Sequence, residues 1–280
     1  MRKIDVAQIE AAVYELSLEA NFVLPEDVVE ALKEAEKKES SERAREVLAT
    51  LLDNAQLAKV ENLPICQDTG IVVVLLEIGQ AVEIVGGDLS KAINQGVRRG
   101  YKEGYLRFSM VNDPLIRENT NDNTPAIIHT EIVSGETLRI VVIAKGSGSE
   151  NMSSLKMLKP SDGIKGIKDY IISHIRDIAP FSCPPLVIGI GLGGTFESCA
   201  YLAKKALIRR VGSSHPREDI AQIEKDLLNE INRLGIGPCG LGGEATALAV
   251  QVETFPTHIA SLPVAINVNC HAHRHKERVI

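Results

Sequence analysis

The chain has 280 residues, 44% of them hydrophobic and 24% charged, a balance that supports a packed core and excludes a disordered polymer. Its formal net charge of -6 argues against a general phosphate-backbone binder, and no run of about 18 apolar residues exists to span a bilayer. Five cysteines, odd in number, widely spaced and without a CxxC pair, describe neither a disulfide framework nor a local zinc or ferredoxin motif. Any metal site has to be assembled from distant parts of the chain. The start, amphipathic and acid-containing, lacks the apolar core of a signal peptide, so the expected location is the cytoplasm.

Taken in order, residues 4–22 carry Ile4, Val6, Ile9, Ala12, Val13 and Leu16 at helical spacing. Pro25-Glu26-Asp27 starts a second helix, with acids at its positive end. Ser40 or Ser41 caps a third, whose apolar side is Val47, Leu48, Leu51 and Leu52. Residues 1–60 therefore read as a mainly helical layer. Pro64-Ile65-Cys66-Gln67-Asp68-Thr69-Gly70 then places a soft metal ligand, an amide, a carboxylate and a hydroxyl side by side, on a loop entering a buried strand over 71–76. The plainer reading is a capped turn with one buried thiol.

Gly86-Gly87-Asp88 turns into a helix over about 89–105 that ends near Arg107. Residues 125–133 and 138–144 read as two strands joined into a hairpin by Ser134-Gly135-Glu136. The small-residue stretch from Lys145 through Gly148 to Asn151 is either an anion-holding loop or a flexible connector. A helix over 163–178 leads through Cys183-Pro184-Pro185 to a strand over 186–190. Residues 189–194 match G-x-G-x-x-G ahead of a helix over 198–208, but the acid that a dinucleotide site needs about 20 residues on is missing, and a glycine loop lining some other site is favoured. A helix beginning at His215-Pro216-Arg217 stops at Gly235, and strands over 245–253 and 262–268 follow. The terminal His271, His273 and His275 invite a zinc reading, with a solvated basic tail the simpler one. No linker or repeat interrupts the chain, which is expected to form a single mixed α/β domain over 1–280, with helices packed on β-sheets and the helical layer at its N-terminus.

Three of these segments, the one at Cys66, Cys183-Pro184-Pro185 and Val268-Asn269-Cys270, resemble the cluster-binding segments of class I (iron–sulfur) fumarases, in the same order and with similar spacing. The match extends from about residue 40 to the C-terminus and includes Arg107, Asn119-Thr120, Ile143-Ala144-Lys145-Gly146 and His258. It is strongest to the separate α subunit of the two-subunit form and to the N-terminal half of the fused form. The resemblance implies an Fe–S hydro-lyase α-type domain that hydrates fumarate reversibly to L-malate. It assigns a [4Fe–4S] cluster to Cys66, Cys183 and Cys270, leaving one iron without a protein ligand, to act as a Lewis acid. Cys199 and Cys239 fall outside the matched positions and are read as structural thiols. Gln67, Asp68, Arg107 and Gly148 are implied substrate contacts, and Asp68 and His258 the implied proton-transfer residues. The resemblance also implies a separate β subunit completing the site in an α2β2 assembly, with a small C4 dicarboxylate as substrate; the charge and the lack of a long apolar run leave no expected role for nucleic acid or membrane. An L-tartrate dehydratase α subunit resembles the chain through the same cysteine segments, and a mesaconate hydratase differs by one substrate methyl. A nucleotide-binding oxidoreductase using residues 189–194 and a zinc module using the C-terminal histidines are the readings from other classes.

Overall fold

Apolar residues three and four apart carry most of residues 6–61 into helices, and β-branched runs carry much of the remainder into strands. The computed structural model describes residues 2–280. The chain runs β1 (Arg2–Asp5), α1 (Val6–Phe22), α2 (Glu26–Lys38), α3 (Glu42–Glu61), β2 (Ile71–Gly79), β3 (Val82–Val85), α4 (Leu89–Glu103), β4 (Ile127–Val133) and β5 (Leu138–Lys145). It continues through α5 (Ser147–Glu150), β6 (Ser154–Leu158), α6 (Gly163–Ile178), β7 (Leu186–Gly193), α7 (Phe196–Ala206), α8 (Glu218–Asn232), β8 (Ala247–Phe255), β9 (Leu262–Asn269) and β10 (His275–Val279). Among the described residues no helix is long and apolar enough to cross a membrane. The mixed α/β class and the helical start agree with the sequence. Strand β1, within the stretch read as helix, does not: Asp5 caps α1 by accepting from the Ala7 N–H, and the residues before it pair in parallel with β3. Two compact units interleave along the chain. One comprises the residues up to Pro25, Asn54–Ser147 and Arg274–Ile280, and the other Glu26–Asp53 and Gly148–His273.

The first unit is a four-stranded sheet in the order β10-β5-β2-β4. Strand β2 is apolar almost throughout, so it occupies a central position: Val72, Val74 and Leu76 join Ile9, Val13 and Leu16 of α1 and Ile93, Val97 and Tyr101 of α4 in one core, while Val73 and Leu75 on the opposite face are buried too. The expected hairpin between β4 and β5 is not formed. Both strands pair with β2, β4 in parallel and β5 antiparallel, and residues 134–137 cross over the end of β2. The Gly79 N–H donates to Thr137 O at 2.8 Å and Ala81 N–H to Gly135 O at 2.9 Å; a Cβ on Gly79 would lie 2.7 Å from Gly135 O, so only glycine admits the crossing. A central strand apolar on both faces outcompeted the local turn signal. The C-terminal segment is likewise no solvated tail: Ala272, His273 and Arg274 are buried, and β10 pairs antiparallel with β5.

In the second unit the sheet order is β6-β9-β7-β8, with β7 parallel to β8 and antiparallel to β9. Ile188 and Ile190 face a core shared with Ile171 and Ile175 of α6 and Leu227 and Ile231 of α8. The alternate residues Gly189 and Gly191 face α7, where a Cβ on either would lie 2.1 Å from a helix carbonyl, that of Ala203 or Cys199. These glycines belong to a strand–helix contact rather than to a loop lining a site. The small-residue stretch after β5 is neither loop nor connector but the helical turn α5, and Glu150 at its end is bound to Lys204 at 2.6 Å and to Asn267 at 2.9 Å.

Candidate metal and substrate site

In the first unit, residues 64–70 have no helix or strand partner, yet their backbone groups are held one by one. The Ile65 N–H donates to Asn21 O at 3.0 Å, and Asn54 Nδ2 donates to Ile65 O at 2.9 Å. Arg274 Nη2 donates to Asp68 O at 2.7 Å, Tyr101 Oη to Thr69 O at 2.7 Å, and Asn123 Nδ2 to Gly70 O at 3.2 Å. Burial raises the Tyr101 phenol to about 12, so it remains a donor at any working pH. Asp68 ties the loop to the end of β5: Oδ1 accepts the Gly70 N–H at 2.9 Å and Oδ2 the Ser147 N–H at 2.8 Å. Each carboxylate oxygen retains a second lone pair beyond those bonds. Cys66 is half-buried and its thiol donates to Gln67 Oε1 at 3.3 Å; a Cys66 thiolate would instead take an N–H from the same amide once turned over. The exposed Arg107 joins the loop through its carbonyl, which accepts from Thr69 Oγ1 at 2.8 Å. Cys66, Gln67 and Asp68 thus share one buttressed turn, to which the backbone at Arg107 is bonded.

In the second unit, Cys183 precedes β7 and Cys270 follows the antiparallel β9, so both lie at one end of the sheet. The His271 N–H donates to Cys183 O at 3.2 Å, and the Cys239 N–H donates to Pro184 O at 2.8 Å, which brings a third cysteine segment to that end. Cys183 and Cys239 are exposed, and both hold left-handed backbone, with φ of 51° and 52°. Burial, and then the neighbouring Cys270, push the Cys239 thiol up. His258 stands elsewhere. It follows β8, which runs parallel to β7, and Thr257 Oγ1 donates to Gly194 O at 2.9 Å, so His258 lies at the opposite end of the sheet. Eight strand residues separate the two ends, roughly 25 Å at the usual rise. Gly148, in α5, is exposed with open space about it.

Three thiols, none in a disulfide and each on a loop with at least partial exposure, suit iron–sulfur ligation: each iron of a cluster takes its own thiolate, so the sulfurs need not gather on one ion. Among the described residues no three His, Cys, Asp or Glu side chains converge as the ligands of a single metal ion. Cys199 is different in kind. It is fully buried between α7 and β7, donates to Gly191 O at 3.2 Å, and burial raises its thiol to about 11. Because the unfolded chain ionises this thiol from about 9 and the folded chain only from about 11, stability is expected to fall across that window. Urea unfolding of Cys199→Ala should show a shallower decline than wild type over the same pH range, and identical slopes would contradict the assignment. Sequence reasoning missed Asn21, Tyr101, Asn123 and Arg274. Ser17 and Asn21, polar residues on the apolar face of α1, were the available signal; Arg274 had none, because it lay in a stretch read as a tail.

The sequence matches the family described as fumarate hydratase (fumerase) over residues 10–279. It is 46% identical over 275 residues to a protein of Methanocaldococcus jannaschii named "Putative L(+)-tartrate dehydratase subunit alpha", covering 95% of each chain. It is also 32% identical over 254 residues to the L(+)-tartrate dehydratase subunit alpha of Escherichia coli and to that of Shigella sonnei, covering 90% of this chain and 84% of each relative.

Proposed function

The chain belongs to the fumarate hydratase (fumerase) family and is a hydro-lyase, and from that premise we propose that it is an α subunit catalysing the reversible hydration of fumarate to L-malate in the cytoplasm. The observation that supports this reading is the buttressed turn carrying Cys66, Gln67 and Asp68, with the backbone at Arg107 bonded to it, in a chain of this family. Cys66, Cys183 and Cys270 would hold a [4Fe–4S] cluster. Bound there, it supplies an electrophilic iron for carboxylate and hydroxyl oxygens of the substrate, in a reaction without net redox change.

The chain's own residues do the rest. Arg107 offers a planar guanidinium fork to one substrate carboxylate, and the Gly148 N–H adds a neutral donor. Gln67 orients a substrate oxygen. Asp68, its carboxylate fixed by two backbone N–H groups, accepts or returns the proton at the carbon next to a carboxylate through its remaining lone pairs. His258 was the other candidate for proton transfer, but its position at the far end of the sheet from Cys183 and Cys270 argues for a lesser part in the chemistry. A β subunit, in an α2β2 assembly, supplies the remaining substrate contacts.

L(+)-tartrate is the second reading, supported by the names of the relatives. Mesaconate, which is fumarate with one added methyl, stands close to the first reading, since one methyl changes discrimination by only about 1–3 kcal/mol. The test is co-expression with the β-type partner, followed by kcat/KM for fumarate, L-malate, L(+)-tartrate and mesaconate. Fumarate is expected to lead, and a tartrate value tenfold higher would assign the enzyme to the second reading. In the same assay Asp68→Asn is expected to lower kcat at least about 100-fold and His258→Gln less than about 3-fold. A reversed order would return His258 to the centre of the reaction.

A further inference from the structure

Arg274 is a buried cation at 3% exposure, on a segment whose chemistry-bearing residue is Cys270, four positions earlier. Its Nη2 donates to the Asp68 carbonyl at 2.7 Å and its Nη1 to Asn21 Oδ1 at 3.3 Å. Its Nε is buried without a hydrogen-bond partner. Asn21 is itself oriented, since its Nδ2 donates to Ser17 O at 2.9 Å, and its own carbonyl accepts the Ile65 N–H. One guanidinium therefore spans α1 and the loop carrying Cys66, on either side of that cysteine. A Cβ placed on Gly146 would lie 3.3 Å from Asp68 Oδ2 and 3.7 Å from Arg274 Nη2, so the cation and the carboxylate flank the same backbone carbon.

Stability alone does not account for such a group. Removing a guanidinium from water is costly, its hydrogen-bond partners here are a neutral carbonyl and an amide, and one of its N–H groups is unsatisfied. The other three side chains that hold carbonyls of this loop, Asn54, Tyr101 and Asn123, are uncharged. A charged donor gives a shorter, stronger and more directional bond to a carbonyl than a neutral one. We propose that Arg274 is a positioning residue, which clamps the Asp68 carbonyl to α1 and thereby fixes the place of the Cys66 thiol and of the Asp68 carboxylate. The role rests on the reading of Cys66 and Asp68 as site residues, whereas the clamp itself is independent of that reading.

Hydrogen–deuterium exchange on the full apo chain separates the two. In Arg274→Gln, amides in the 64–70 segment are expected to exchange at least tenfold faster than in wild type, with those of α8 and β9 unchanged. Alkylation of Cys66 by N-ethylmaleimide should accelerate by a similar factor, and that of Cys239 should not. Arg274→Lys keeps the charge and the reach for one of the two hydrogen bonds, and should restore both rates to within about threefold of wild type. If Arg274→Gln does not fold, Arg274→Lys decides: exchange at 64–70 should rise by up to about threefold over wild type with that at β9 unchanged, and no rise, or an equal rise at β9, would overturn the clamp. Unchanged exchange in the folded variants, or loosening spread evenly over the chain, would overturn the clamp. Anaerobic iron loading of wild type is the second arm. No bound iron would end the cluster reading and leave the exchange result standing, and loaded iron that chelator strips from Arg274→Gln several times faster than from wild type would join the clamp to the site.

Discussion

Cys66→Ala is expected to abolish iron binding and to lower hydro-lyase activity by at least about a thousandfold. Wild type reconstituted anaerobically should hold about four irons and four sulfides per chain, and the variant less than about one. With three protein thiolates a cluster already leaves one iron open, and a second missing thiolate leaves two irons without a protein ligand. The loop itself should survive, because its carbonyls are held by Asn54, Arg274, Tyr101 and Asn123, and none of those bonds involves the Cys66 side chain. The loss should therefore be chemical and not structural, with an unfolding midpoint close to that of wild-type apo chain. Cys199→Ala is the control: its thiol is buried, un-ionised at neutral pH and engaged with Gly191 O, so iron content should remain at the wild-type value. Full iron in Cys66→Ala, or lost iron in Cys199→Ala, would exchange the assigned roles of the two thiols.

The second large effect is on folding. Gly191→Val is expected to destabilise the chain by at least about 4 kcal/mol, a large fraction of the total stability of most domains, so that it accumulates in insoluble form. A Cβ at this position lies 2.1 Å from Cys199 O and 2.9 Å from Ala203 N, both backbone atoms of α7, and neither can yield unless the whole helix moves off β7. Gly148→Ala, where a Cβ meets nothing within 4 Å, should change stability by less than about 1 kcal/mol. The pair also discriminates against nucleotide binding through residues 189–194. If those glycines cradled a phosphate, Gly191→Val would remain soluble and folded and lose only a ligand.

Much of the chain is legible in its amino-acid order. Helical spacing locates α1, α2 and α3, Ser41 stands at the start of α3 with its hydroxyl accepting the Ala44 N–H at 3.4 Å, and α6 spans the expected 163–178. These features are local: a periodicity, a cap or a β-branched run expresses its preference within a few residues. The thiols at Cys66, Cys183 and Cys270 are equally plain, since the residue types that the proposed ligation needs are present whatever the fold.

What only tertiary structure decided is where partners from distant segments meet. The turn at 134–136 signalled a hairpin, but β2 inserted between β4 and β5, because a strand apolar on both faces must be central and a turn signal cannot report what else competes for a strand's edge. The glycines at 189 and 191, whose spacing suggests a loop lining a site, are the surface on which α7 rests. His258 lies twelve residues before Cys270 in sequence, yet parallel β8 and antiparallel β9 carry the two to opposite ends of one sheet. Arg274, in an apparent basic tail, became the buried donor to the Asp68 carbonyl. Sequence by itself determined the local elements and the chemical inventory, because both are properties of short segments. Strand order, sheet end and the burial of a charge are set by long-range pairing, which places Cys183 and Cys270 at one end of a sheet and the segment after β8 at the other.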